Sequence, residues 1–417
     1  MRLLLKNNII MTLTQLQKRY QQLKDQGLNL DMTRGKPSPE QLDLSLPMLG
    51  LVGADNYTSE DGVDCRNYGG LDGLKAAKAL FADFLEVKES EIIIGGNSSL
   101  ALMHDTMVNA MIHGFTDQGP WIQQKPKFIC PAPGYDRHFN ICQHLGIEMI
   151  RVDNNADGPD MDQVEALVAN DPAIKGIWIV PKYGNPTGGI CSDEVVNRLA
   201  TMKIAATDFR IFWDNAYTVH HLNAEQPTLA NILQACQAAG NPDRVFLFGS
   251  TSKITFAGAG VAMLGGSASN MDWVRSHMKM QTIGSDKLNQ LRHIRFFKSM
   301  DAVHQHMAKH AAILRPKFDM VLSVLNKELG GTGIADWNNP QGGYFISLNT
   351  RPNRAKKVVQ LAAEAGVKLT GAGAAFPHRN DPEDKNIRIA PSLPAIGDLE
   401  KATEILAVCI QLADMEG

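Results

Sequence analysis

The sequence predicts an α/β protein, a mainly parallel sheet sandwiched by helices, with a smaller α+β domain after it. Three observations predict this. Between residues 91 and 264, short apolar runs that end in Gly, Pro, Asn or Asp alternate with longer helical patterns; such runs fit strands buried on both faces. Near residue 300 the texture changes to one long helical stretch and three separate strand-like runs. The 417 residues also exceed one ordinary domain, so two are expected. The division drawn is an N-terminal segment, 1–50, joining the smaller domain; a large domain, 51–300; and a small C-terminal domain, 301–417.

The elements follow in order. MRLLLKNNII at the start carries positive charge and three leucines. Its apolar run is too short for a signal peptide, and no small-residue cleavage site follows. It reads as a disordered or vector-derived extension, with the natural start at Met11. Residues 12–26 form a short amphipathic helix, followed by the turn-rich Arg34-Gly35-Lys36-Pro37-Ser38-Pro39. Gly69-Gly70 and Gly73 precede a helical pattern reaching Leu85. The strand-like runs are Glu91–Ile94, Lys127–Cys130, Gly176–Val180, Arg210–Trp213, Val245–Phe248 and Gly260–Leu264. Ser192 is placed to cap a helix whose first turn holds Asp193 and Glu194, which suits the positive end of the helix dipole. Beyond 300 come a helix over 302–329, runs at Tyr344–Leu348, Val367–Thr370 and Ile387–Ile389, and a last helix over 398–414.

Bulk properties remove several classes of function. The chain is 44% hydrophobic and 20% charged with a formal net charge of −3, normal for a globular protein with a large core. No basic tract is present, which argues against nucleic acid as a partner. No apolar run approaches membrane-spanning length. Six cysteines show no C-x-x-C pair, and in a chain this size they read as reduced thiols of a cytoplasmic protein.

In open α/β sheets, ligands bind beyond the carboxyl ends of the strands, so the residues after each run matter most. Asn97-Ser98-Ser99 follow two glycines and open a helix. That is a cup for a phosphate, or a plain Gly/Ser turn. Tyr183-Gly184-Asn185-Pro186-Thr187-Gly188 follows the next candidate strand, Asp214-Asn215-Ala216-Tyr217 the one after it, and Gly249-Ser250-Thr251-Ser252-Lys253 another. Each alone is a turn. Together they describe one cofactor site. A desolvated lysine can bond an aldehyde cofactor covalently, a carboxylate can hold a pyridine nitrogen protonated, and serines can hold a phosphate.

N-P-T-G, D-x-A-Y, S-x-S-K and R-I-A-P in that order resemble the fold-type I, class I aminotransferases, which depend on pyridoxal 5'-phosphate. The resemblance runs from about residue 30 to the C-terminus. RGKPSPEQLDLS, CPAPGYDRHF, STSKITFAGAGVAM and DKLNQLRHIRFF resemble the divergent bacterial aspartate aminotransferase subgroup. This implies that Lys253 carries the cofactor and moves the substrate proton, that Asp214 pairs with the ring nitrogen, and that Tyr217 and Asn185 contact the ring oxygen. It further implies Ser98, Ser99, Ser250 and Ser252 on the phosphate, with Asn97 in the same cup. Tyr135 would stack on the ring, or else be a core tyrosine. Tyr68 would reach the phosphate of a neighbouring subunit in a homodimer, and Gly35 would line the substrate pocket. Arg388 would clamp the substrate α-carboxylate, for which its forked donors are suited.

One departure stands out. The family's phosphate-neutralising arginine, eight positions after the lysine, is Val261 here, and Arg34 and Lys182 are the candidate replacements. A dicarboxylate needs a second cation, and Lys287, Arg292 or Arg295 would supply it, unless they form a charged helix face. His304, His306, His220 and His221 read as ordinary histidines, with no completed metal set. The expected reaction is transamination of L-aspartate with 2-oxoglutarate. The alternatives are alanine or aromatic transamination, a lyase on the same scaffold, or a ligand-sensing module, against which the absence of a helix-turn-helix extension speaks.

Overall fold

The computed structural model describes residues 4–6 and 9–416. At its centre lies an eight-stranded sheet. The order across it is Ile92–Ile94, Ala262–Gly266, Val245–Ser250, Arg210–Asp214, Ile174–Ile179, Lys127–Ala132, Glu148–Asn155 and Gly158–Pro159. Neighbours from Val245–Ser250 through Glu148–Asn155 pair in parallel. Ala262–Gly266 runs antiparallel to both its neighbours. All six expected runs are strands. Glu148–Asn155 was not expected, because it lies near the sheet edge and only Val152 within it is fully buried, so no continuous apolar run marks it.

The central strands divide their side chains between two cores, as burial on both faces requires. Ile211, Trp213, Val245 and Leu247 face one layer of helices, with Phe81, Leu199 and Leu233. Phe212, Phe246 and Phe248 face the other, with Phe128 and Trp178. The rings interlock on that second face: Phe212 stacks on Phe248 at 5.6 Å and meets Phe128 edge-on at 5.5 Å. Ser192 does cap its helix, accepting from the Val195 N–H at 3.2 Å.

A third core gathers the remainder. The helix Leu13–Lys24 lays Leu16 and Leu23 against the C-terminal helix Ile396–Glu416 and the long helix Met300–Leu329. Three antiparallel strands, Ala335–Trp337, Ile346–Thr350 and Asn386–Ile389, complete this unit. The expected trio is therefore corrected. Val367–Lys368 leaves that sheet and pairs in parallel with Leu30–Asp31, so a segment 337 residues away in sequence supplies its hydrogen-bond partners. At the N-terminus, Leu4–Lys6 pairs antiparallel with Ile9–Met11. The expected disordered extension does not hold for those residues, and residues 1–3 and 7–8 lie outside the described ones.

The loop 251–255 is held from behind by two helices. His293, on the helix Lys287–Phe297, donates from Nδ1 to the Asn289 carbonyl at 2.8 Å. Its Nε2 then accepts from the hydroxyls of Thr251 and Thr255, at 3.1 and 2.9 Å. On the long helix, His306 Nε2 donates to the Ile254 carbonyl at 2.9 Å, and His310 contacts Gln41 at 3.0 Å. Burial is the main force pushing His293 and His310 down to about 4.

Both histidines stay neutral in the folded state at pH values where the unfolded chain binds protons, from about 6.5 down to 4. Their contribution is complete above 6.5 and is lost as pH falls through that window. Urea unfolding at pH 7.5 and pH 5 should show a loss of about 1–2 kcal/mol per histidine. His293→Gln and His310→Gln should each flatten the dependence; an unchanged slope would contradict the assignment.

Candidate active site

Five chain segments that leave the sheet at its carboxyl edge converge on one place. Asp214 ends its strand, and Tyr217 follows within the next turn. Ser250 ends the neighbouring strand and Lys253 lies three residues on. Asn185 follows Ile174–Ile179, Tyr135 follows Lys127–Ala132, and Asn97-Ser98-Ser99 follows Ile92–Ile94. Parallel strands have all their carboxyl ends on one side, so these residues meet without being near in sequence.

A cavity of about 510 Å³ is lined by Tyr135, Asn185, Tyr217, Lys253, Phe345 and Arg388, among others. Lys253 Nζ sits 4.9 Å from the centre of the Tyr217 ring. Burial drives the Tyr217 phenol well above its ordinary range, with Asp214 adding to the shift and the Asn185 side chain opposing it. Tyr217 is therefore a neutral hydrogen-bond donor. Tyr135 is pushed up to about 12, again chiefly by burial.

Arg388 enters from the smaller unit, on the strand Asn386–Ile389. Its Nη1 donates to Asp136 Oδ1 at 3.0 Å and to Asn185 Oδ1 at 3.2 Å, and its Nη2 to the Thr370 hydroxyl at 3.2 Å. Its plane lies over the Phe345 ring at 4.9 Å. The buried Nε has no partner, so the Nε–Nη2 edge offers a fork to a carboxylate. Gly35 lies against the same ring. A Cβ at that position would stand 2.5 Å from Phe345 Cζ, so only glycine allows this approach.

Asp214 is buried, and among the described residues its carboxylate has one hydrogen bond, from His138 Nε2 to Oδ2 at 3.1 Å. Oδ1 is buried with no partner. A buried carboxylate oxygen left unpaired costs free energy, and a protonated ring nitrogen is the kind of donor that would satisfy it. His138 stacks on Trp178 at 4.3 Å, which fixes the imidazole plane. The sequence reading missed His138, Asp136 and Thr370. The first two follow Tyr135 directly in CPAPGYDRHF, at the start of the helix Asp136–His144, and that position was the available signal.

The other expected residues divide. Ser250 Oγ donates to Ser252 Oγ at 3.1 Å, and Ser252 Oγ to the Asn97 carbonyl at 3.2 Å. Ser98 and Ser99 open the 15-residue helix Ser99–His113, whose first N–H groups and dipole suit a phosphate. Val261 is buried, and its N–H donates to the Thr251 hydroxyl at 2.9 Å, so it supplies no cation.

Arg34 lines the cavity beside Arg388, Phe345 and Thr370 rather than being grouped with the serines. Lys182 lines a separate cavity with Glu86 and His221. Lys287 Nζ donates to the Gly69 carbonyl at 2.7 Å. Arg292 donates to Asn289 at 3.3 Å, and Asn289 holds the carbonyls of Ala259 and Gly260. Arg295 clamps the carbonyls of Leu51, Asn56 and Thr58. None of the three lines the Lys253 cavity of its own chain. Tyr68 is 84% exposed. His221 Nδ1 meets the Tyr183 hydroxyl at 2.6 Å, while His220 is buried beside Tyr217 and Tyr344.

A lysine, an unpaired buried carboxylate oxygen and a serine-lined helix start, set at the carboxyl edge of such a sheet, define a pyridoxal-phosphate enzyme of fold type I. Comparison agrees. The chain belongs to the aspartate aminotransferase family, whose model, described as aspartate amino-transferase, matches residues 4–417. An aspartate aminotransferase of Corynebacterium glutamicum is 48% identical over 403 residues, 96% of this chain and 93% of the relative. The crystal structure of an aspartate transaminase from the same organism superposes with a TM-score of 0.95 at 48% identity, covering 97% of this chain and 96% of the other. The α-aminoadipate aminotransferase LysN of Thermus thermophilus shares the fold, with a TM-score of 0.77 at 18% identity, covering 96% and 98%. The protein is an aminotransferase that uses pyridoxal phosphate.

Because His138 is the one partner of Asp214, His138→Phe should keep the stacking on Trp178 and leave the carboxylate unsupported. Titration of the apoprotein with pyridoxal phosphate should then show affinity lowered about five- to hundredfold, following from a loss of roughly 1–3 kcal/mol when a buried partner is removed. Wild-type affinity in the variant would refute the coupling.

Proposed function

We infer that the protein transfers the amino group of L-aspartate to 2-oxoglutarate, yielding oxaloacetate and L-glutamate, and that it acts as a homodimer in the cytoplasm. The observation that carries this reading is the meeting of Lys253 and Arg388 in one cavity. A base and a carboxylate clamp from different structural units there hold an amino acid between them. The substrate pair rests on the similarity to the C. glutamicum aspartate aminotransferase.

When bound, pyridoxal phosphate supplies a ring that accepts the electron pair released at the substrate α-carbon. The chain does the rest. Arg388 takes the α-carboxylate on its Nε–Nη2 edge while Asp136 and Asn185 hold Nη1 in place. The Lys253 amine moves the proton of the α-carbon. Asp214, oriented by His138, keeps a proton on the pyridine nitrogen. The neutral Tyr217 hydroxyl and the Asn185 amide would donate to the cofactor's ring oxygen, Tyr135 would pack against it, and Ser98, Ser99, Ser250 and Ser252, with Asn97, would hold the phosphate. Phe345 and Leu369 narrow the cavity against water.

In this reading residues 51–300 bind the cofactor, and residues 301–417 with 1–50 present Arg388 and Gly35 to the substrate. The shared core of Leu16, Leu23, Leu406 and Ile410 supports that grouping. The dimer is supported by the exposed Tyr68 and by the packing of Gly284 onto the Gly69-Gly70 turn, next to the exposed Ile283. The six cysteines are all unpaired and buried, as suits a reducing compartment. No helix among the described residues is long and apolar enough to cross a membrane.

Lys253→Ala should abolish the long-wavelength absorbance of the bound cofactor and cut aspartate turnover by about a thousandfold or more. A variant with both intact would end the proposal. Sedimentation at assay concentration should give a dimer, and Tyr68→Phe should weaken cofactor retention; an active monomer would remove Tyr68 from the site.

A further inference from the structure

A second cavity, of about 300 Å³, shares no lining residue with the one around Lys253. Trp213 and Leu247 of the central strands line it, with the end of the helix Lys75–Leu85 and the start of the helix Met300–Leu329. Two polar side chains in it are more than nine-tenths buried, Lys182 at 8% exposure and Asn215 at 7%. Neither side chain has a hydrogen-bond or ion-pair partner among the described residues. Buried polar groups are nearly always satisfied, and a buried ammonium without a counter-charge is costly. Burial lowers the Lys182 pKa, and Glu86 opposes the shift. An anion bound beside Lys182 and Asn215 would supply the partner that both lack.

His221 adds a third donor. Burial pushes the Tyr183 phenol up and the His221 imidazole down to about 4, so both are neutral at pH 7. Tyr183 therefore donates its hydroxyl proton to His221 Nδ1 at 2.6 Å, which leaves the ring proton on Nε2. Charges of the other sign stand at the rim. Asp83 and Glu86 line the same cavity and are exposed, whereas Lys182 is buried. A ligand with its carboxylate inward and its ammonium outward matches both ends. Phe84, Leu229 and Ile232 supply an apolar wall. A hollow of about 320 Å³, sharing Val219, His221, Gln226 and His304, continues past Leu222, Met307 and Ala311. It leaves room for an aliphatic side chain.

We propose that this cavity is a second site, separate from the catalytic one, for a free α-amino acid with an aliphatic side chain. Lys182, Asn215 and His221 take its carboxylate, and Glu86 with Asp83 takes its ammonium. The chain ties this site to the cofactor cavity. Asn215 directly follows Asp214, Lys182 stands three residues before Asn185, and His221 stands four after Tyr217. A ligand held by these side chains bears on the backbone of three cofactor-site residues, and by linkage each site senses the other.

The test is calorimetric titration of the holoenzyme with L-leucine. Two analogues accompany it: 4-methylpentanoate, which lacks the ammonium, and isopentylamine, which lacks the carboxylate. Leucine should bind without moving the cofactor absorbance and should change aspartate turnover about twofold or more. Each analogue should bind about tenfold more weakly, as should leucine to Lys182→Met, since each change removes a charge-assisted contact. Glu86→Gln should weaken leucine but not 4-methylpentanoate. Thr228→Trp, at an exposed position lining the cavity, should fill it and abolish binding, with turnover in the absence of leucine unchanged. If Lys182→Met fails to fold, the exposed variants Glu86→Gln and Thr228→Trp carry the test. No binding of leucine up to about 10 mM, wild-type affinity in Lys182→Met or Thr228→Trp, or binding that always moves the cofactor absorbance would overturn the proposal. 4-Methylpentanoate bound as tightly as leucine would overturn the amino-acid class, and binding with turnover unchanged would overturn the coupling.

Discussion

The structure turns on a buried carboxylate with an unpartnered oxygen. Asp214 ends its strand with one oxygen on His138 and the other without a hydrogen-bond partner among the described residues. A buried carboxylate oxygen without a donor is costly, and a protonated ring nitrogen would supply one. Much of the surrounding architecture keeps that carboxylate in position. Its strand is flanked in parallel on both sides, and the Phe212, Phe246 and Phe248 layer packs beneath the same strands. Trp178 fixes the imidazole that fixes the carboxylate.

The lysine is positioned by a different device. Its loop has no regular structure, so the hydrogen bonds of Thr251, Ile254 and Thr255 must come from neighbours. Buried histidines on two helices provide them. Tyr344 adds a long contact to the Lys253 carbonyl at 3.5 Å, and its own hydroxyl is held by Gln41. The reactive amine is thus carried on a rigid backbone, while the side chain remains free in the cavity. Arg388 is held in a comparable way, by Asp136, Asn185 and Thr370, so that it and Lys253 come from separate units but line one cavity.

Much of this was legible in the sequence. The two-faced strands are apolar runs bounded by turn residues, and the chemistry-bearing residues come directly after them. Lys253, Asp214, Tyr217 and Asn185 could be singled out because each stands at such a boundary, and Arg388, inside the strand Asn386–Ile389, because R-I-A-P resembles the family's motif. Glu148–Asn155 could not be, since a half-exposed strand leaves no apolar run. Nor could the pairing of Leu30–Asp31 with Val367–Lys368, which depends on two short segments far apart in the chain. The metal-like histidine pairs are a related case. His220 and His221 are adjacent in sequence, yet one is buried beside Tyr217 and the other meets Tyr183.

The sequence by itself determined the fold class and the family, and singled out the residues proposed as base, acid pair and carboxylate clamp, because these lie in short local patterns with a fixed order. Only the tertiary structure decided which cations line the cavity. Arg34, Arg137 and Arg292 are equally basic on paper, and exposure or engagement depends on what packs against each. Arg292 turns to Asn289, whereas Arg34 is left in the cavity by the contact of Gly35 with Phe345. The role of His138 was decided in the same way, since a parallel sheet brings residues 76 apart to within a hydrogen bond.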